Sequence, residues 1–87
     1  MARRRTGGSA CYGIYRTADG RYLSVAALEP KFWLAFNAVI GRRGDPAELV
    51  EGPEVQARIR GELQAILGQH TRDEWERRFA AADACVE

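Results

Sequence analysis

The sequence predicts an α+β domain in which an antiparallel β-hairpin, or small sheet, packs against two to three helices. Three observations predict it. A run of strand-forming residues on either side of Thr17-Ala-Asp-Gly20 precedes any helical pattern. Helix start and stop signals then follow in order, at Glu29-Pro30, Gly41, Gly68 and Thr71-Arg-Asp-Glu74. The strands come first and the helices after them, so the helices cover one sheet face instead of alternating with parallel strands.

Met1 to Ala10 is basic, contains glycine and lacks periodicity, which predicts a flexible tail over residues 1–10 and one small domain over residues 11–87. The hairpin is expected from about Cys11 to Ala27. Ile14, Tyr15, Tyr22, Leu23 and Val25 are the side chains that strands favour, and Asp19-Gly20 supplies the reversal. Asp19 can accept bonds from nearby backbone N–H groups. Gly20 can take the positive φ that a type I turn with a G1 bulge requires.

A helix is predicted over Pro30–Ile40, because Phe32, Trp33, Phe36, Val39 and Ile40 recur at helical spacing. Pro30 suits its first position, where the missing N–H costs nothing. Leu28 and Trp33 are spaced as a hydrophobic staple, and Gly41 is placed as a left-handed C-terminal residue. Residues 41–52 read as a loop with one helical turn, since Asp45-Pro-Ala-Glu48 has a capping residue, a proline and a glutamate in order. Val55, Ile59, Leu63, Ile66 and Leu67 line one face of a second helix over Pro53–Leu67, which Gly68 ends. Gly61 inside it costs about 1 kcal/mol relative to alanine. Thr71 and Glu74 form a capping box for a third helix over Arg72–Ala82, and Asp83-Ala-Cys-Val86 is expected to leave it extended. The expected core is Phe32, Phe36, Ile59, Leu63, Trp75 and Phe79.

Composition excludes several functions. The chain has 87 residues, 46% hydrophobic and 29% charged, as in ordinary globular domains. Its net charge of +1 gives no field to gather nucleic acid or an anionic membrane. Arg3-Arg4-Arg5 and Arg42-Arg43 read as solvated arginines on a tail and a loop. Cys11 and Cys85 read as free thiols in a reducing cytoplasm. His70 stands alone, so no metal-ligand spacing exists, and no cofactor is expected. No apolar run approaches the ~20 residues that span a bilayer. Trp33 and Trp75 read as core anchors, and His70 as a solvent-facing residue at a helix end.

Glu29 is the one side chain singled out as functional. On physics alone it is a carboxylate at a helix N-terminus, where the dipole contributes about 0.3–1 kcal/mol. The block from Tyr15 to Phe32, with Gly7-Gly8 before it and Asp83-Ala84-Cys85-Val86 near the end, resembles the family III CoA-transferases, and most of all their branch of 2-methylacyl-CoA racemases. Those proteins carry a similar Tyr-x-Thr-x-Asp-Gly run, then a Glu-Pro-x-Phe segment and an Asp-Ala-Cys-Val element. The similarity runs from about Gly7 to Val86 and departs at Cys11, where an aromatic residue is expected, and at Glu87.

The resemblance implies an accessory small domain that is not catalytic alone. Such a domain helps close an acyl-CoA site on a large CoA-binding domain, where a His and an Asp move the proton at the carbon α to a thioester. The partners implied are that large domain or a homologous chain, with acyl-CoA bound only in the full enzyme. Glu29 is then the carboxylate that reaches the catalytic histidine and holds it in position. Alone, the chain is expected to be a monomer or weak dimer, cytoplasmic, with no nucleic-acid or membrane partner. Cys85 reads as a packed residue and Asp83 as a structural hydrogen-bonding group. The alternative is a free-standing interaction module that binds a protein partner through the old domain-closing face.

Overall fold

A computed structural model describes residues 9–82 and has the α+β architecture expected. The elements are β1 (Tyr12–Arg16), β2 (Tyr22–Ala26), α1 (Pro30–Ile40), a 3-10 helix at Pro46–Val50, α2 (Pro53–Leu67) and α3 (Arg72–Phe79). β1 and β2 form a two-stranded antiparallel sheet, with Tyr15 opposite Leu23 and Gly13 opposite Val25. The Gly20 N–H donates to the Thr17 carbonyl at 3.0 Å, and the Thr17 N–H to the Arg21 carbonyl at 2.9 Å. With Gly20 at φ 79°, this is the reversal that the sequence required.

Alternation along the strands gives the sheet two different faces. Tyr15, Leu23 and Val25 point into the core and are 2% exposed or less. Tyr12, Ile14 and Tyr22 lie on the other face and stay 41–62% exposed. Burial pushes the Tyr15 phenol up to about 12, partly countered by the Arg60 charge. Its hydroxyl donates to the Ala10 carbonyl at 2.6 Å.

Three buried helix faces close the core. Ile59, Leu63 and Leu67 of α2 are fully buried, as are Trp33 and Phe36 of α1 and Trp75 of α3. Phe36 is the centre of an aromatic ladder. Its ring stacks on Trp33 at 5.7 Å and on Phe79 at 5.6 Å, and Phe79 contacts Trp75 at 5.8 Å. α2 is also tied to β1 by the Gln64 side-chain amide, which accepts from the Arg16 N–H and donates to the Arg16 carbonyl. That amide takes the place of a strand residue.

Four details differ from the sequence reading. Ala10 belongs to the body, not the tail: it is 1% exposed and its N–H donates to the buried Gln56 carboxamide at 2.8 Å. Phe32 is only partly buried, and Trp33 takes the core position beside it. Leu28 remains 56% exposed, outside the core that Trp33 joins, so the expected staple does not close. α3 ends at Phe79, with Ala80 as its C-cap, although Ala82 still packs on the core. Gly68 ends α2 where expected, as its C-cap, in right-handed geometry at φ −74°. The element expected at residues 83–86 and Gly7-Gly8 lie outside the described residues.

Gly61 does match its reading: it sits exposed inside α2, and an added Cβ meets nothing within 4 Å. Gly61→Ala is therefore expected to stabilise the domain by about 1 kcal/mol through helix propensity alone. A thermal melt reads this directly, and a lowered midpoint rules the account out.

Candidate functional site

Glu29 is the N-cap of α1, with extended backbone at φ −97°, ψ 148°. A carboxylate at that position normally accepts from the N–H groups of the first turn. Here the side chain makes no capping bond, and no acidic residue follows in the first turn. The Glu29 carbonyl still accepts from the Trp33 N–H at 2.9 Å, which begins the helix ladder. Backbone and proline start the helix, so the carboxylate is free of structural duty and exposed at the surface.

The base beneath it is rigid. Four residues on, Trp33 is 1% exposed, and its indole N–H donates to Glu48 Oε1 at 3.1 Å. Arg42 lies against the Trp33 ring at 5.8 Å and donates to both Glu48 oxygens, at 3.1 and 2.7 Å. It also bonds Glu62 at 3.1 Å and the Asn37 side-chain oxygen Oδ1 at 2.8 Å. Asn37 in turn donates to the Trp33 carbonyl at 2.8 Å. Arg42 is thus no solvated loop residue: its side chain is 10% exposed and fastens the 41–52 segment to α1 and α2.

The electrostatics follow from this geometry. Hydrogen bonds from Arg42 to Glu48 raise the arginine further, against the opposing effect of burial. Burial by itself pushes the Glu48 carboxyl up. The bonds from Arg42, the Asp45 N–H and Trp33 more than offset it and hold the group below the ordinary carboxylate value.

Asp19 does more than shape the hairpin turn. It accepts from the Thr17 hydroxyl at 2.5 Å and from the Arg72 N–H at 3.2 Å, at the start of α3. The Thr17 bond is the main cause that lowers its carboxyl. Arg72 adds a bond to the Tyr22 carbonyl at 2.7 Å and pairs with Glu76. The hairpin turn is therefore sewn to α3 through the motif aspartate. His70 belongs to this corner: it is half-buried, edge-on to Trp75 at 5.1 Å, and its carbonyl accepts from Ala18. Solvent-facing understates it. Its Nδ1 lies 3.6 Å from Glu74, whose carboxyl is lowered chiefly by the Thr71 N–H.

The structure gathers Asp19, His70 and the Thr71–Glu74 box at one corner. Glu29, at the start of α1, shares no hydrogen bond or ion pair with them among the described residues. Trp33 and Trp75 are core anchors, each 1% exposed, and the Trp75 indole N–H donates to the Leu67 carbonyl. Cys11 is a buried free thiol raised by burial. Asp83 and Cys85 lie outside the described residues. Among the described residues, no group of three His, Cys, Asp or Glu could hold a metal, and no helix is long and apolar enough to cross a membrane.

Sequence reasoning missed Arg42, Asn37 and Gln56. The signal for Arg42 was faint but present: it follows a C-terminal glycine and stands six residues before a capping-box glutamate, close enough for a loop to fold back on itself.

Comparison with known proteins gives a consistent result. A family model described as CoA-transferase family III matches residues 1–87. Alpha-methylacyl-CoA racemase of Homo sapiens is 30% identical over 80 residues, covering 92% of this chain. The Mus musculus protein of the same name is 30% identical over 84 residues. A CaiB/baiF CoA-transferase family protein of Caenorhabditis elegans is 31% identical over 75 residues, 86% of this chain. The chain spans 21% of the length of each of these relatives.

Proposed function

The chain belongs to CoA-transferase family III, and on that premise we propose that it acts as the small accessory domain of an acyl-CoA racemase-like enzyme. In this reading it closes an acyl-CoA site carried by a larger domain and does not turn over substrate by itself. The observation that carries the reading is the Glu29 carboxylate: at a cap position, exposed, and unused by the helix it starts. A helix start thus presents a negative charge with no partner among the described residues, which is what a positioning carboxylate needs.

The chemistry assigned to the full enzyme is removal and return of the proton at the carbon α to a thioester. Glu29 does not touch that carbon. It accepts a hydrogen bond from one nitrogen of an imidazole supplied by the larger domain, fixing the tautomer and the ring orientation. Its charge favours the imidazolium form and so raises the histidine pKa. Pro30 at the first helical position and the buried Trp33 beneath keep the carboxylate from following the imidazole when that ring moves.

The test is to graft this domain into a full-length family racemase and change Glu29→Gln. Turnover is expected to fall by about 10- to 100-fold, the usual cost of losing such an orienting partner. The melting temperature should hold, since the side chain makes no structural bond. The acidic limb of the rate profile should move to lower pH, because the histidine loses its anionic neighbour. Unchanged turnover with an unchanged profile eliminates the role.

The interaction-module reading has one observation in its favour. Leu28 and Leu34, at 56% and 42% exposed, flank the start of α1 and leave apolar surface next to Glu29. The same surface is what a domain-closing face requires, so the accessory-domain reading accounts for it as well.

A further inference from the structure

We infer that the free edge of β2 is a self-pairing surface, on which a second copy of this chain adds antiparallel to make a continuous four-stranded sheet. The inference starts from the hydrogen-bond parity of the hairpin. Thr17 N–H to Arg21 and Ala27 N–H to Cys11 close the ladder at odd-numbered residues. Bonded and non-bonded pairs alternate in an antiparallel ladder. The pairs Tyr12–Ala26, Ile14–Ser24 and Arg16–Tyr22 therefore turn their N–H and C=O groups away from the partner strand.

On the β1 side half of this outward row has a partner among the described residues. Arg16 exchanges two bonds with Gln64 of α2, and the Tyr12 N–H donates to the Ser9 carbonyl. On the β2 side, among the described residues, only the Tyr22 carbonyl has a partner, Arg72 Nε at 2.7 Å. The backbone groups of Ser24 and Ala26 have no protein partner among the described residues. Edge strands in monomers are usually blunted by charge, proline or a bulge. Tyr-Leu-Ser-Val-Ala has none of these.

The edge is complementary to itself. A two-fold axis through Ser24 sets Ser24 opposite Ser24 and Tyr22 opposite Ala26, so a large side chain always meets a small one. No ionised side chain of the strand meets its like. Beyond the strand, exposed Arg21 of one copy lies toward the end that carries exposed Glu29 of the other, with opposite charge. Arg21 is loosely engaged at home, 3.7 Å from Asp73 with both side chains more than half exposed. The Tyr22 carbonyl keeps a second lone pair for the new strand. Pairing also joins the two exposed apolar faces that carry Tyr12, Ile14 and Tyr22.

Sedimentation equilibrium from micromolar to millimolar chain tests the proposal, with amide exchange measured across the same range. The mass should rise from monomer to twice that value, and the Ser24 and Ala26 amides should slow with concentration while Ile14 does not. Ser24→Lys places two ammonium groups opposite each other on the axis, yet in the monomer it sits on an exposed face. It should abolish the dimer and leave the melt of the dilute chain unchanged. Ser24→Pro removes an outward N–H and should do the same. A monomer at millimolar concentration, a dimer that survives Ser24→Lys, or protection at Ile14 in place of Ser24 overturns the inference.

Discussion

Arg42→Met is expected to cost about 3 kcal/mol of folding stability, the lower end of the range for removing one partner of a buried ion pair. The lower end applies because the Arg42 and Glu48 side chains are 10% and 16% exposed, so some solvent reaches them. Glu62, at 41% exposed, adds little of its own. Methionine fills much of the volume but leaves Glu48 charged and half-stripped, with only Trp33 and the Asp45 N–H as donors. It also leaves the Asn37 side-chain oxygen without its arginine donor. At about 0.05–0.15 kcal/mol per residue, a chain of this size has roughly 4–13 kcal/mol in total, so the loss is large. Urea unfolding followed by tryptophan fluorescence measures it.

The pH dependence makes the prediction sharper. In the native chain the folded Glu48 carboxyl is depressed. Its contribution is therefore full above the ordinary value of 4.5 and is lost as pH falls through the folded value. In Arg42→Met the offsetting charge is gone and burial pushes the same carboxyl upward. Protonation then relieves an uncompensated charge, so the difference between the variant and the parent should begin to shrink above 4.5 and go on shrinking as pH drops through it. A gap in urea midpoint that stays constant between neutral and acidic pH contradicts the assigned pairing.

Arg42 also marks the boundary of what the sequence could say. Signals confined to a few consecutive residues were legible. Pro30, Gly41, the Asp45–Glu48 and Thr71–Glu74 boxes, and the Asp19-Gly20 turn each fix their own backbone, and each stands where it was expected. Choices among neighbours were not. Phe32 and Trp33 both sit on a broad apolar stripe, and Trp33 takes the buried place with its indole N–H satisfied by Glu48, fifteen residues away. Asn37 and Gln56 are buried polar groups satisfied by partners that only the folded chain assembles. Ala10 looked like tail because its hydrogen-bond partner is 46 residues distant. Glu29 came forward through resemblance, not physics, since an exposed cap carboxylate carries no local mark of function.

Phe36→Ala should be the most damaging single change, at about 3–5 kcal/mol for a fully buried phenylalanine. Phe36 is 0% exposed and its ring is the middle rung between Trp33 and Phe79. Those aromatic pairs contribute about 0.5–1.5 kcal/mol each beyond their buried area. Removing the ring separates α1 from α3, whose only tie through large side chains in this ladder runs Trp33, Phe36, Phe79, Trp75. Phe36→Leu keeps most of the volume and should cost about 1–2 kcal/mol, mainly from the lost stacking. The ladder also links stability to the proposed function, because α1 carries Glu29 at its start. In the grafted enzyme, turnover of the two Phe36 variants should fall in step with the fraction folded, as read by near-ultraviolet circular dichroism. Glu29→Gln should lower turnover at constant fraction folded. If Phe36→Ala melts cooperatively within about 1 kcal/mol of the parent, the aromatic ladder is not what holds α1, and the rigid presentation of Glu29 loses its physical basis.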